Sequence, residues 1–141
     1  MDAFRNGLGA LTLFVEDVDN VTGFYRDVLA LRLVYQDEVS SVFESGSTLI
    51  NVLSVSAAAD VVAPCPVAAV GGDARALLSV WVDDADATCA ELVRRGVTLL
   101  NGPVDRPWGK RTAAFADPSG TIWEVAQELP APSSDDPALS D

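Results

Sequence analysis

The chain has no histidine. That absence removes the commonest metal ligand, the commonest general base and every Ser-His or Cys-His nucleophilic pair. Cysteine is almost as scarce: Cys65 and Cys89 are too few for a disulfide framework or a thiolate metal site. Positive charge is short as well. Nine Lys+Arg stand against 21 Asp+Glu, a formal net charge of -12, and Lys110 is the single lysine. A chain so acidic repels phosphate backbones and anionic membrane surfaces, which argues against nucleic-acid and membrane partners and in favour of small cations. No apolar run approaches the roughly 18 residues a membrane span needs. The opening residues MDAFRNGLGA lack a basic region followed by an apolar stretch, so a cytoplasmic location is expected.

What is present fits one ordinary domain. The 141 residues are 49% hydrophobic and 21% charged, and a chain of this length buries roughly 70% of its unfolded surface without staples. Its sequence repeats. A shift of 67 residues carries LTLFVEDVDNVTGFY, from Leu11, onto LSVWVDDADATCAEL, from Leu78. Leu11, Val15, Asp17 and Asp19 meet identical residues, and Phe14 meets Trp81. Each copy opens with alternating apolar residues (Leu11, Leu13, Val15; Leu78, Val80, Val82), the period of a half-buried strand. An acidic pair then suits a helix N-terminus, Asp17/Asp19 in one copy and Asp84/Asp86 in the other. Val21, Phe24, Tyr25, Val28 and Leu29 form one helical stripe; Ala85, Thr88, Cys89, Leu92 and Val93 form its counterpart, with Gly96 as a left-handed stop.

Three strands are expected after each helix: Leu31–Gln36, Val39–Glu44 and Thr48–Val55, then Thr98–Leu100, Thr112–Ala116 and Thr121–Gln127. Asp117-Pro118-Ser119-Gly120 reads as a type I turn between the last two. The pattern is βαβββ twice, an α+β fold in a single domain over 1–129: module one about 8–55, module two about 75–128. Residues 56–74 show neither period and read as a linker or cover loop; the acidic residues 130–141 read as a disordered tail.

This arrangement resembles the vicinal oxygen chelate superfamily of glyoxalases, bleomycin-resistance proteins and dioxygenases. The carriers are LFVEDVDNVTGFYRDVLAL, VWVDDADA and FADPSGTIWEVAQ, in that order along nearly the whole chain. The resemblance implies curved sheets that enclose a ligand cleft, commonly completed by a second chain, so a homodimer is expected. It also implies metal ligands on the first and last strand of each module in the family's metal enzymes. Those positions fall on Ala10, Asn51, Leu77 and Glu124. Ala and Leu cannot coordinate, and a catalytic metal takes about three protein ligands. Hence no metal and no cofactor is expected, and the metal-free bleomycin-resistance-like branch is the nearest likeness.

Alternation from Ala10 and Leu77 turns Thr12, Phe14, Ser79 and Trp81 inward, with Leu49, Asn51 and Leu53 and with Ile122, Glu124 and Ala126. The nominated ligand-contacting residues are Phe14, Asn51, Trp81, Trp108, Arg111 and Glu124. Trp81 offers a plane for stacking, set against simply filling the sheet's concave side. Trp108 lies in the loop Arg106-Pro107-Trp108-Gly109-Lys110-Arg111, either at the cleft mouth or against a partner subunit. Glu124 is a cation anchor or a lone general base, or else a relic paired with Arg111 or solvated by water. No catalytic residue is assigned. The reading is a binding protein that sequesters a bulky aromatic or cationic natural product, as in bleomycin-type antibiotic resistance. The alternatives are a metal-independent isomerase, cyclase or lyase with Glu124 as base, and a metal-dependent glyoxalase-like or dioxygenase-like enzyme.

Overall fold

In a computed structural model that describes residues 2–72, 74 and 76–131, the chain divides into two compact units. One is Met1–Asp73 with Pro118–Gly120; the other is Ala74–Asp117 with Thr121–Asp141. The expected acidic tail lies, beyond residue 131, outside the described residues.

In the first unit, strand β1 (Ala10–Val15) leads into helix α1 (Val18–Gly23), followed by β2 (Arg32–Gln36), β3 (Ser40–Ser45) and β4 (Thr48–Ser54). The sheet order is β1-β4-β3-β2. The first strand therefore lies at one edge of the sheet beside the last, and the two run parallel with Thr12 opposite Asn51. The Asp17 carboxylate caps α1 by accepting from the Asn20 amide at 3.1 Å, as the acidic pair leads one to expect. The helix then widens into a π turn over Phe24–Val28. Tyr25 is fully buried there, its ring edge-on to Phe43 at 5.6 Å. Beside it, the buried hydroxyls of Thr22 and Ser41 bond each other at 2.7 Å, so neither is left unsatisfied between helix and sheet.

The second unit repeats the plan: β5 (Leu78–Trp81), helix α3 (Ala85–Arg94), β6 (Leu99–Asp105), β7 (Lys110–Ala116) and β8 (Ile122–Glu128), in sheet order β5-β8-β7-β6. Again the first and last strands pair in parallel. Asp84 caps α3 through the Ala87 amide at 3.0 Å. Ala85, Cys89 and Leu92 face the sheet over Phe115, Trp123 and Val125. Burial and the nearby Asp86 charge push the Cys89 thiol up, so it stays protonated and packs as a small apolar group. The α+β class and the twin βαβββ repeats are as expected.

Three details differ from the sequence reading. The segment expected to be a linker opens with helix α2 (Val55–Val62), capped by Ser54 and resting on β4 and β1 through the fully buried Ala58. Two turns rich in alanine form a helix readily but are too short to display a period. Val93, placed on the α3 stripe, is 54% exposed, because the buried face ends at Leu92. Finally, β6 continues past Leu100 to Asp105, across Gly102-Pro103. The strand absorbs these residues as irregularities, its register shifting between Leu99 and Asn101 and again before Val104. Gly102 has φ +82, and a Cβ there would run into the Thr112 carbonyl and Ala113.

Gly102→Ala should destabilise the fold by about 2–4 kcal/mol, a left-handed backbone cost compounded by a collision with main chain. Gly109→Ala has a similar φ of +85 but open space around it, and should cost only about 1–2 kcal/mol. Thr22→Val should cost about 1–3 kcal/mol by stranding Ser41, and adding Ser41→Ala should recover part of that loss. Urea unfolding of the four variants measures all of these.

Candidate functional site

Each sheet has a helix on one face and presents the other. In the first unit the register puts Thr12 beside Asn51 and Phe14 beside Leu53 on the face opposite α1. The Asn51 Nδ2 donates to Thr12 Oγ1 at 3.2 Å. Phe14 and Asn51 are therefore on one face, both half-buried, among Leu49, Leu53 and Val42.

The second unit carries the charged version of the same arrangement. Ser79 lies opposite Glu124 across the parallel pair, and its hydroxyl donates to Glu124 Oε1 at 2.8 Å. Amide and carboxylate thus hold equivalent positions, each met by a hydroxyl on the first strand of its repeat. Two residues along, Trp81 is opposite Ala126; on the other side of β8, Ala114, Thr112 and Lys110 pair with Glu124, Ala126 and Glu128. Residues in register share a face. Trp81, Glu124, Lys110 and Glu128 accordingly lie together, over a floor made of the small residues Thr112, Ala114 and Ala126.

Trp81 is 73% exposed. The Lys110 ammonium sits 5.3 Å from its ring centroid and 3.7 Å from Glu128 Oε1. A cavity of about 270 Å³ opens between Trp81, Val82, Asp83, Lys110, Ala126 and Glu128. Trp108 follows the same pattern in the β6–β7 turn. It is 64% exposed, and the Arg106 guanidinium carbon lies 6.0 Å from its ring. Arg106 is held in place by Thr112 Oγ1 at 3.0 Å and Asn101 Oδ1 at 3.2 Å.

Arg111 does not join this group. Being the neighbour of Lys110 on one strand, it points to the helix side, where it bonds Asp105 at 2.6 Å and Asp86 at 2.8 Å. Its pairing ties β6 to the start of α3, and Glu124 has Ser79 rather than Arg111 as its partner. The Arg111 hydrogen bonds hold the Asp105 carboxyl below the usual carboxylate range, and Asp105 with Asp86 raises the guanidinium in turn.

Sequence reasoning passed over Lys110, Glu128, Asp83 and Arg106. A signal for the first two was available: extending the β7–β8 pairing from the Asp117–Gly120 turn matches Lys110 with Glu128. The donor set does not suit a catalytic metal. The first unit supplies Ala10 and Asn51 at the family's ligand positions, the second Leu77 and a Glu124 already bonded to Ser79. Among the described residues, no three His, Cys, Asp or Glu side chains gather as a metal-binding group. Among them, too, no helix is long and apolar enough to cross a membrane.

Comparison with known proteins agrees with this architecture. The sequence model of the Glyoxalase/Bleomycin resistance protein/Dioxygenase superfamily matches residues 7–125. A Bacillus subtilis (strain 168) protein, the uncharacterized protein YraH, is 32% identical over 123 residues, 84% of this chain and 96% of YraH. Among solved structures, a glyoxalase/bleomycin resistance protein/dioxygenase from Nocardioides matches with a TM-score of 0.77 and 21% identity, covering 91% of this chain and 87% of its own. TnmS3, an antibiotic binding protein from Streptomyces sp. CB03234, matches with a TM-score of 0.64 and 26% identity, covering 86% of this chain and 94% of its own.

The Asp105 pairing gives the fold an acid limb. Its carboxyl titrates in the ordinary range when the chain is unfolded and below that range when folded. The pairing therefore stabilises fully at neutral pH and is lost as pH falls through the lowered native value. Asp105→Asn should flatten the acid side of a melting-temperature profile while leaving the remaining slope in place.

Proposed function

Since the chain belongs to the glyoxalase/bleomycin resistance protein/dioxygenase superfamily, we propose that it is a metal-independent binding protein that sequesters a bulky aromatic or cationic natural product, as bleomycin-resistance proteins do. The observation that carries this reading is the exposed Trp81 indole on a sheet face whose coordinating positions hold Leu77, which cannot ligate, and the single carboxylate Glu124. A flat ligand gains stacking and apolar burial on such a face without any metal. Sequestration asks only for affinity and protein concentration. The net charge of -12 adds long-range attraction for a cation. The likeness to an antibiotic binding protein, TnmS3, supports the same direction. The protein is proposed to work in the cytoplasm as a homodimer.

A second reading is favoured by one contact. The Ser79 hydroxyl fixes Glu124 Oε1 on the open face, as an oriented general base requires. On that reading the protein is a metal-independent isomerase, cyclase or lyase.

Titrating candidate aromatic antibiotics against tryptophan fluorescence tests the first reading. Quenching that saturates is expected, and Trp81→Ala should weaken binding about tenfold, the loss of one stacking plane. Absence of quenching, with no protection of a sensitive host, overturns it. Glu124→Gln separates the two readings: affinity for a neutral ligand should stay within about twofold if the site only binds, whereas a base would lose turnover. Stoichiometric divalent metal retained through dialysis contradicts both.

A further inference from the structure

The only lysine of an acidic chain stands where a ligand cation would stand. Its ammonium occupies a face of Trp81, with the carboxylate of Glu128 at 3.7 Å and Asp83 lining the same cavity. An electron-rich ring flanked by carboxylates is a receptor for positive charge, and the protein's own side chain reports that preference. Trp108 repeats it with Arg106. Counting Asp83, Glu128 and Lys110, the lining carries one net negative charge; moving the ammonium aside leaves two negative charges and a bare indole. Lys110 can move. Glu128 is mostly exposed and holds the lysine at the long end of ion-pair distance, so the contact is weak.

We propose that the cavity formed by Trp81, Asp83, Lys110 and Glu128 is a subsite for an organic cation, in which the Lys110 ammonium is a tethered occupant that the ligand's cationic group displaces from the ring. This rests on the binding reading above and narrows its ligand class to cations. At about 270 Å³ the cavity falls just below the usual volume of a whole drug site. It therefore takes a charged head or a fused ring pair, and the rest of a bulky ligand lies outside it. The selectivity for charge comes from the carboxylates of Asp83 and Glu128. A neutral ring must share the indole with a resident charge, whereas a cation replaces that charge and inherits both carboxylates.

Three probes of similar shape test this by calorimetric titration at neutral pH: N-methylquinolinium, quinoline and 2-naphthoate. The Trp81 indole N–H resonance, assigned with Trp81→Phe, locates the binding. N-methylquinolinium should bind tightest. Lys110→Met, which keeps the aliphatic stem, should strengthen it about fivefold and leave quinoline unchanged, while Lys110→Arg brings no gain. Glu128→Gln should weaken the cation alone. If quinoline binds but the cation gains nothing from Lys110→Met, the displacement idea is overturned and ring binding survives. Displacement is equally overturned if Lys110→Met mainly abolishes 2-naphthoate binding, for Lys110 is then an anchor for anions. If none of the three perturbs Trp81, the cation subsite and the aromatic-binding reading fail together.

Discussion

The parallel pairing of the first and last strands in each repeat is the constraint on which the rest depends. Because β1 lies against β4 and β5 against β8, residues 39 positions apart in one repeat and 45 in the other become lateral neighbours on one face. That pairing brings Thr12 to Asn51, Ser79 to Glu124 and Trp81 beside the Ala126 floor. A slip of one residue would send every one of these side chains under a helix. The buried side sets the register, since Val15, Ile50 and Val52 in one repeat, and Trp123 and Val125 in the other, must stay beneath their helices. Chemistry on the open face is positioned by greasy contacts on the hidden one.

The two repeats keep the same skeleton and have parted company in charge. At matched positions one holds a neutral amide and the other a carboxylate, both satisfied by a hydroxyl from the neighbouring strand. At the family's ligand positions neither repeat offers donors enough for a catalytic metal. The second has gathered the exposed indoles and their cations, so the features that point to a ligand lie within one unit. Arg111 and Lys110 illustrate how finely the strand divides these duties. Adjacent in sequence, one braces the helix start while the other faces the ring.

Much of the architecture was legible because its signals are periodic. Alternation from Leu11 and Leu78 located the first strands, the acidic pairs located the helix starts, and the 67-residue shift exposed the duplication. The same alternation placed Trp81 and Glu124 on one face. What escaped lacks a period or depends on partners far away in sequence. Helix α2 spans two turns of mostly alanine and valine, which read equally well as an apolar loop. Gly102-Pro103 looks like a break and is instead an irregular piece of strand, made possible by close backbone approach to Thr112 and Ala113. The π turn at Phe24–Val28 leaves no trace in a stripe of apolar residues. For Arg111, alternation puts it on one face with Ala113 and Phe115, but only the position of α3 decides which face that trio occupies.

One feature of composition acquires a chemical use from its location. Lys110 is the chain's sole side-chain amine, and it rests on the indole of Trp81. Apart from the amino terminus, an acylating or reductively alkylating reagent has a single address on the polypeptide. A fluorophore or a spin label attached there would sit against the ring itself, turning an accident of amino-acid usage into a built-in handle.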